Sequence, residues 1–205
     1  MEFNTLLDNR KTNFTWTEEV PSNKKIVDII NNVLSKVPSK QKRMPYKIDV
    51  FDNSNQQLRN RIFEYTHRDE DATVEDDYGN PQTLAPHLLV FSRRTVDTNN
   101  MSKANDVWGF TDQRIIFMEM GIVSMMLMMA FENAGLSTGF CQCIMNKQDL
   151  ANELGIDNPV ELMMGVGYKS DAKTFLDPRT NTTKDVYIEH HHKRPTLDNI
   201  VTYRW

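Results

Sequence analysis

IIFMEMGIVSMMLMMAF, residues 115–131, is followed two residues later by AGLSTGF, residues 134–140. The first stretch holds a single charged residue, Glu119, and six of the chain's 12 methionines: Met118, Met120, Met125, Met126, Met128 and Met129. Thr111 or Asp112 can start a helix here, and Gly135 sits where a left-handed residue ends one, near Asn133. The uncharged run 120–131 is too short to span a bilayer, so the stretch reads as a buried core helix. Its apolar residues occupy nearly every side. Such a helix needs cover on all faces, from its own domain or from a partner subunit, and the flexible methionines suit an irregular contact.

Upstream of this helix the pattern is mixed. A short amphipathic piece holds Phe3, Leu6 and Leu7. Ser22 then caps a run in which Ile26, Ile29, Ile30, Val33 and Val37 share one face, and Pro38 stops it. Residues 46–52 (YKIDVFD) alternate like a half-buried strand, residues 56–65 read as helix, and the acidic stretch 69–77 reads as a solvated loop. Residues 87–92 (HLLVFS) form a short apolar strand, followed by a polar loop. Downstream come a short helix at 150–154, a strand at 160–168 and a C-terminal tail. Helices first, then strands mixed irregularly with helices, predict an α+β fold in one domain spanning residues 1–205.

Composition bounds the function. The 205 residues carry 24 Lys+Arg against 28 Asp+Glu, a net charge of -4, which argues against a general affinity for nucleic-acid phosphates. Cys141 and Cys143, one residue apart, would form a strained disulfide, which predicts a reducing compartment. The polar, acidic start lacks the basic flank and apolar run of a secretory signal, so a cytoplasmic protein without membrane association is expected. No nucleophile and base stand in a catalytic arrangement, and no spacing suits a metal. His190, His191 and His192 are consecutive and cannot all face one ion from a regular element.

Three basic clusters stand out in this acidic chain. Arg10, Lys11 and Thr12 place two cations beside a hydroxyl, a combination suited to a phosphate. PSKQKRMPY, residues 38–46, is stiffened by two prolines and presents Ser39 in a fixed setting. His191, His192, Lys193, Arg194 and Pro195 make the third. These clusters either converge on one anion or are separate solvated faces.

In their order and spacing these segments resemble the FMN-dependent nitroreductase family over nearly the whole chain. The matches are Arg10-Lys11-Thr12, Pro38-Ser39 through Pro45-Tyr46, Ala85-Pro86 before a strand, Gly135-Leu136-Ser137-Thr138 after the long helix, Gly167-Tyr168 closing a late strand, and Lys193-Arg194-Pro195. The resemblance implies a nitroreductase-like α+β fold: a central, mostly antiparallel sheet flanked by helices, in an intertwined homodimer. It implies FMN as cofactor, NADH or NADPH as electron donor, and a small-molecule acceptor such as a nitroaromatic or quinone. Arg10, Lys11, Thr12, Lys193 and Arg194 would hold the phosphate. Pro38, Ser39 and Lys40 of the other subunit, with Lys42, would line the ribityl chain and ring, and Gln142 and Cys143 would lay backbone against the ring. Trp108, Phe110 and Cys141 fall at the substrate pocket, although core packing accounts equally for the two aromatics and burial for the thiol. The side chains mostly position, and none is assigned a catalytic step.

The sequence departs from the family pattern at Phe14, Lys42, Met44 and Tyr46, where a basic residue, Asn, Gln and Trp are usual. Lys42 is thereby a candidate to replace the cation missing at position 14. Two other functions follow from the same residues: a protein that keeps the fold but acts as a binding or regulatory module, and a specialised flavin enzyme for one substrate.

Overall fold

The computed structural model describes residues 2–66, 79–96, 113–186 and 200–202. Its centre is a four-stranded antiparallel sheet in the order β1-β2-β4-β3, formed by Tyr46–Phe51 (β1), His87–Arg93 (β2), Ser137–Cys141 (β3) and Val160–Gly167 (β4). β2 and β4 are the middle strands and are buried almost throughout, which explains their near-continuous apolar sequences. Alternation then divides the core. Leu89 and Phe91 of β2, with Leu162, Met164 and Val166 of β4, face α2 (Asn23–Leu34) and α4 (Gln113–Asn133). Leu88, Val90 and Met163 face the opposite way, toward α3 (Gln56–Glu64) and α5 (Lys147–Leu154). The helices therefore cover both faces of the sheet.

Several expectations are met in detail. Ser22 caps α2 by accepting from the Lys25 amide, and Ile26, Ile30 and Val33 point inward. Leu6 is the buried residue of α1 (Phe3–Asn9). Gly135 takes the left-handed conformation after α4, with φ 76°. Other expectations are corrected. α2 ends at Leu34, before Val37 and Pro38, and Val37 joins the core from the following turn. The tail contains a hairpin of β5 (Thr174–Asp177) and β6 (Thr182–Asp185), which sequence periodicity missed because β5 buries the charged Asp177 and exposes Leu176. It is fastened by Asp177, fully buried and paired with Arg179 at 2.7 Å and Lys184 at 3.1 Å.

α4 has 21 residues, and an 18-residue stretch of it has a mean hydropathy of 1.8, long and apolar enough to cross a membrane by those measures alone. In the fold it is a core helix: Ile116, Met120, Val123, Leu127, Met128 and Phe131 pack on the sheet. Glu119 lies on that same buried side. Phe117, Met118 and Met125 remain exposed on the other.

Candidate functional site

α4 and β3 are joined by a tight turn, so they run side by side in opposite directions with a groove between them. The basic N-terminal segment crosses one end of it. Asn13 donates its amide to the Thr138 carbonyl at 2.9 Å, and Thr12 bridges to Thr138. This crossing requires Gly139, because a Cβ there would stand 2.2 Å from the Asn13 carbonyl oxygen. Arg10 is thereby set against α4, with Nη1 at 3.8 Å from the sulfur of Met128. Lys11 and Thr12 are exposed and line a hollow with Ser137, Lys169 and Lys173. Glu132 lies close by. Burial pushes its carboxyl above the usual range, while Lys169, Ser137 and Arg10 pull the other way.

Farther toward the start of α4, the helix and β3 line a cleft of about 620 Å³, within the range of small-molecule sites. α4 contributes Phe117, Met120, Gly121 and Ser124, β3 and the residue after it contribute Phe140 and Gln142, and Lys147, Glu161 and Leu162 close it. Met128, Ser124, Gly121 and Phe117 follow one another along a single stripe of α4, about 16 Å from first to last at the helical rise. At Gly121 the helix surface is open, since an added Cβ would meet no atom within 4 Å.

The segment 38–46 forms a clamped loop. A short 3₁₀ turn, Lys40–Lys42, is followed by left-handed conformations at Lys42, φ 57°, and Met44, φ 46°. Ser39 Oγ accepts from the Met44 amide at 2.8 Å, and the Lys40 amide donates to Glu119 Oε1 at 2.8 Å. Arg94 donates to the carbonyls of Met44 and Arg43. Next to this loop the Tyr46 hydroxyl is buried without a hydrogen-bond partner, and its pKa is pushed up to about 12 by burial and by Glu119.

The predicted residues thus separate. Arg10, Lys11 and Thr12 come to one end of the groove and Gln142 to the other. Cys143 is exposed beside Gln142. Pro38 and Lys42 are exposed, and Ser39 and Lys40 half-buried, in a loop fastened to their own chain. Cys141 is corrected: its side chain is buried among Leu88, Val90, Leu150 and Met163, on the face of the sheet away from α4, so its thiol belongs to the core and not to a substrate pocket. Neither cysteine is in a disulfide. Trp108, Phe110, Lys193 and Arg194 lie outside the described residues, as does the histidine run. Sequence reading missed Glu161, Arg93, Lys147, Lys169 and Lys173. The available signals were a lone acid in the apolar strand VELMMGVG and a lone acid, Glu119, in the apolar helix.

FMN fits this arrangement on chemical grounds. A cationic, hydroxyl-bearing hollow at one end of β3 and an apolar cleft with amide and hydroxyl groups at the other match a molecule that is anionic at one end and a flat heterocycle at the other.

The architecture is the nitroreductase fold. A nitroreductase-like protein from Streptococcus mutans matches with a TM-score of 0.71 at 14% identity, covering 99% of this chain and 98% of that one. A nitroreductase family protein from Streptococcus pneumoniae TIGR4 matches with a TM-score of 0.66 at 17% identity, covering 99% and 100%. An FMN and NADPH-dependent nitroreductase from Sphigopyxis sp. strain HMH matches with a TM-score of 0.65 at 13% identity, covering 100% of both. No protein-family model matches the sequence, and no curated protein does.

Proposed function

We propose that this protein is an FMN-dependent NAD(P)H oxidoreductase of nitroreductase type, acting as a cytoplasmic homodimer. The observation that carries it is a pair of hollows along β3, one lined by Lys11 and Thr12 beside Ser137 and the other a cleft lined by α4, Phe140 and Gln142. Solved proteins of this fold include one described as FMN and NADPH-dependent, which supports the same assignment.

When bound, FMN supplies two-electron chemistry, accepting hydride from NADH or NADPH and passing electrons to a nitroaromatic, quinone or similar acceptor. The chain's own part is positional. Arg10, Lys11 and Thr12 would hold the phosphate by charge-assisted hydrogen bonds, and the resemblance adds Lys193 and Arg194 to them. Gly121 and Ser124 leave a flat approach along α4, and Phe140 and Gln142 offer an apolar face and an amide edge. Amide donors there favour negative charge on a reduced heterocycle, which tunes the cofactor without any side chain acting as acid or base. Pro38, Ser39, Lys40 and Lys42 would join the site from a second copy, presented by a loop that the Ser39–Met44 and Lys40–Glu119 hydrogen bonds hold in one shape.

That commitment of Ser39 and Lys40 also favours a second function, a nitroreductase-fold protein that binds a ligand without efficient flavin turnover. The absorbance of the purified protein separates the two. Flavin bands that bleach with NADH or NADPH and recover with a nitroaromatic or quinone are expected. A colourless protein that takes up no added FMN overturns the oxidoreductase assignment.

A further inference from the structure

Glu161 is the extra residue of a bulge in β4. Leu162 faces Phe91 across the ladder and Val160 faces Ser92, so Glu161 has no counterpart on β2. An unbroken strand turns alternate side chains to one side, but here both Glu161 and Leu162 line the cleft. The Glu161 carboxylate is buried and holds Arg93 at 2.6 Å on one oxygen and Lys147 at 3.0 Å on the other. Two cations on one carboxylate leave this end of the cleft with one positive charge in excess.

The cations are not sealed in. The Lys147 side chain is 42% exposed, and its ammonium has three donors, of which Glu161 takes one. The Arg93 guanidinium lies 5.3 Å from the centre of the Phe117 ring, on the cleft's own wall. Among the described residues that line the cleft Glu161 is the only acid, and Met120, Phe140 and Leu162 give it apolar surface.

We propose that this end of the cleft selects planar aromatic acceptors that carry an anionic substituent, a carboxylate or a sulfonate. Lys147 binds the anion, and Glu161 is a positioning residue that holds Lys147 and Arg93 in place. The proposal rests on the oxidoreductase assignment for the word acceptor, but not for the anion site itself.

The test compares 4-nitrobenzoate with the neutral isostere 4-nitrotoluene on protein supplied with excess FMN. Binding is measured by calorimetry and turnover by NAD(P)H oxidation. 4-Nitrobenzoate is expected to be favoured by about tenfold in both, the worth of one charge-assisted hydrogen bond. Lys147→Met removes the preference, Lys147→Arg keeps it, and Glu161→Gln, which takes from both cations the group that positions them, weakens it. Equal binding of the two probes, or a preference that survives Lys147→Met, overturns the proposal. If no turnover occurs but Lys147-dependent binding of 4-nitrobenzoate persists, the anion site stands and the oxidoreductase assignment falls.

Discussion

The backbone amide of Lys40 donates a 2.8 Å hydrogen bond to Oε1 of Glu119, a carboxylate buried in the most apolar helix of the chain. A charge in that position is costly unless it is used, and its use here is to anchor the segment 38–46. The other oxygen, Oε2, is buried with no partner.

Glu119→Gln keeps an acceptor for the Lys40 amide and is expected to leave stability nearly unchanged. Glu119→Ala removes it from a loop that already holds Lys42 and Met44 in left-handed conformations. A loss of about 1–3 kcal/mol is expected. Urea unfolding measures both, and faster proteolysis within 38–46 of the Ala variant localises the effect. Equal stability of the two variants would show that the hydrogen bond does not hold the loop.

Tyr46 makes the protein sensitive to alkali. Burial and Glu119 raise its pKa from 10.0 to about 12. An acid whose folded pKa is raised contributes stability that is complete below its unfolded value and is lost as pH climbs through the folded one. Stability is therefore expected to fall between pH 10 and about 12. In Tyr46→Phe this part of the fall disappears, and at neutral pH the variant is as stable or slightly more so, because the hydroxyl it removes has no partner. Thermal unfolding across that pH range provides the check.

Asp177 governs the acid side. Burial raises its carboxyl, but hydrogen bonds from the Arg179 side chain and backbone and from Lys184 outweigh this and hold it below the usual carboxylate range. A depressed carboxyl gives stability that is present above the unfolded pKa, about 3.9 for Asp, and is lost as pH falls through the folded value. Asp177→Asn leaves two enclosed cations without their carboxylate, and a cost of about 3–5 kcal/mol is expected. Its stability also depends less on pH below about 4. Chemical unfolding between neutral and acid pH measures both effects.

Local patterns in the sequence foretold the helices and the two central strands, because Ile26, Ile30 and Val33 repeat with a helical period and Leu88 to Phe91 are uniformly apolar. The hairpin of β5 and β6 was not legible: it buries the charged Asp177 and exposes the apolar Leu176, so its burial does not follow hydrophobicity. Within the site, Arg10, Lys11 and Thr12 were found because adjacent cations and a hydroxyl are a local signal. Glu161, Arg93 and Lys147 were not, since a bulge and three separate elements bring them together. Cys141 was misplaced for a related reason. Its position after the glycine turn was right, but strand alternation turns its side chain to the opposite face from Phe140 and Gln142.

Glu132 sets the pH dependence of anion binding at Arg10. Burial raises its carboxyl, so it is neutral more readily than an ordinary glutamate, and neutralisation removes a competing charge from the cationic end of the groove. Glu132→Gln is expected to bind FMN several-fold tighter at neutral pH, and its advantage over the unaltered protein is expected to shrink as pH is lowered, a comparison in which the phosphate's own second ionisation, at about pH 6, cancels. Quenching of flavin fluorescence on titration reads both. Weaker binding by the variant would place Glu132 among the groups that hold the ligand rather than those that oppose it.

The exposed side of α4 bears on the number of chains in the working particle. Phe117, Met118 and Met125 are 42%, 57% and 51% exposed, and with Gly121 they form one stripe along the helix. Gly121 lets another backbone approach closely at the middle of that stripe, and a second copy packed there would bring its own 38–46 loop within reach of the cleft. In a twofold contact each substitution counts twice, so Met118→Glu with Met125→Glu removes four apolar side chains from the interface. At about 1.5 kcal/mol each, the dissociation constant is expected to rise by at least about three orders of magnitude. Sedimentation velocity is expected to show a dimer for the unaltered protein and a single chain for the variant. If the loop of one copy completes the site of the other, the separated chain also loses FMN affinity. A variant that dissociates yet binds FMN as before would confine the whole site to one chain, and an unaltered protein that sediments as a single chain would remove the dimer altogether.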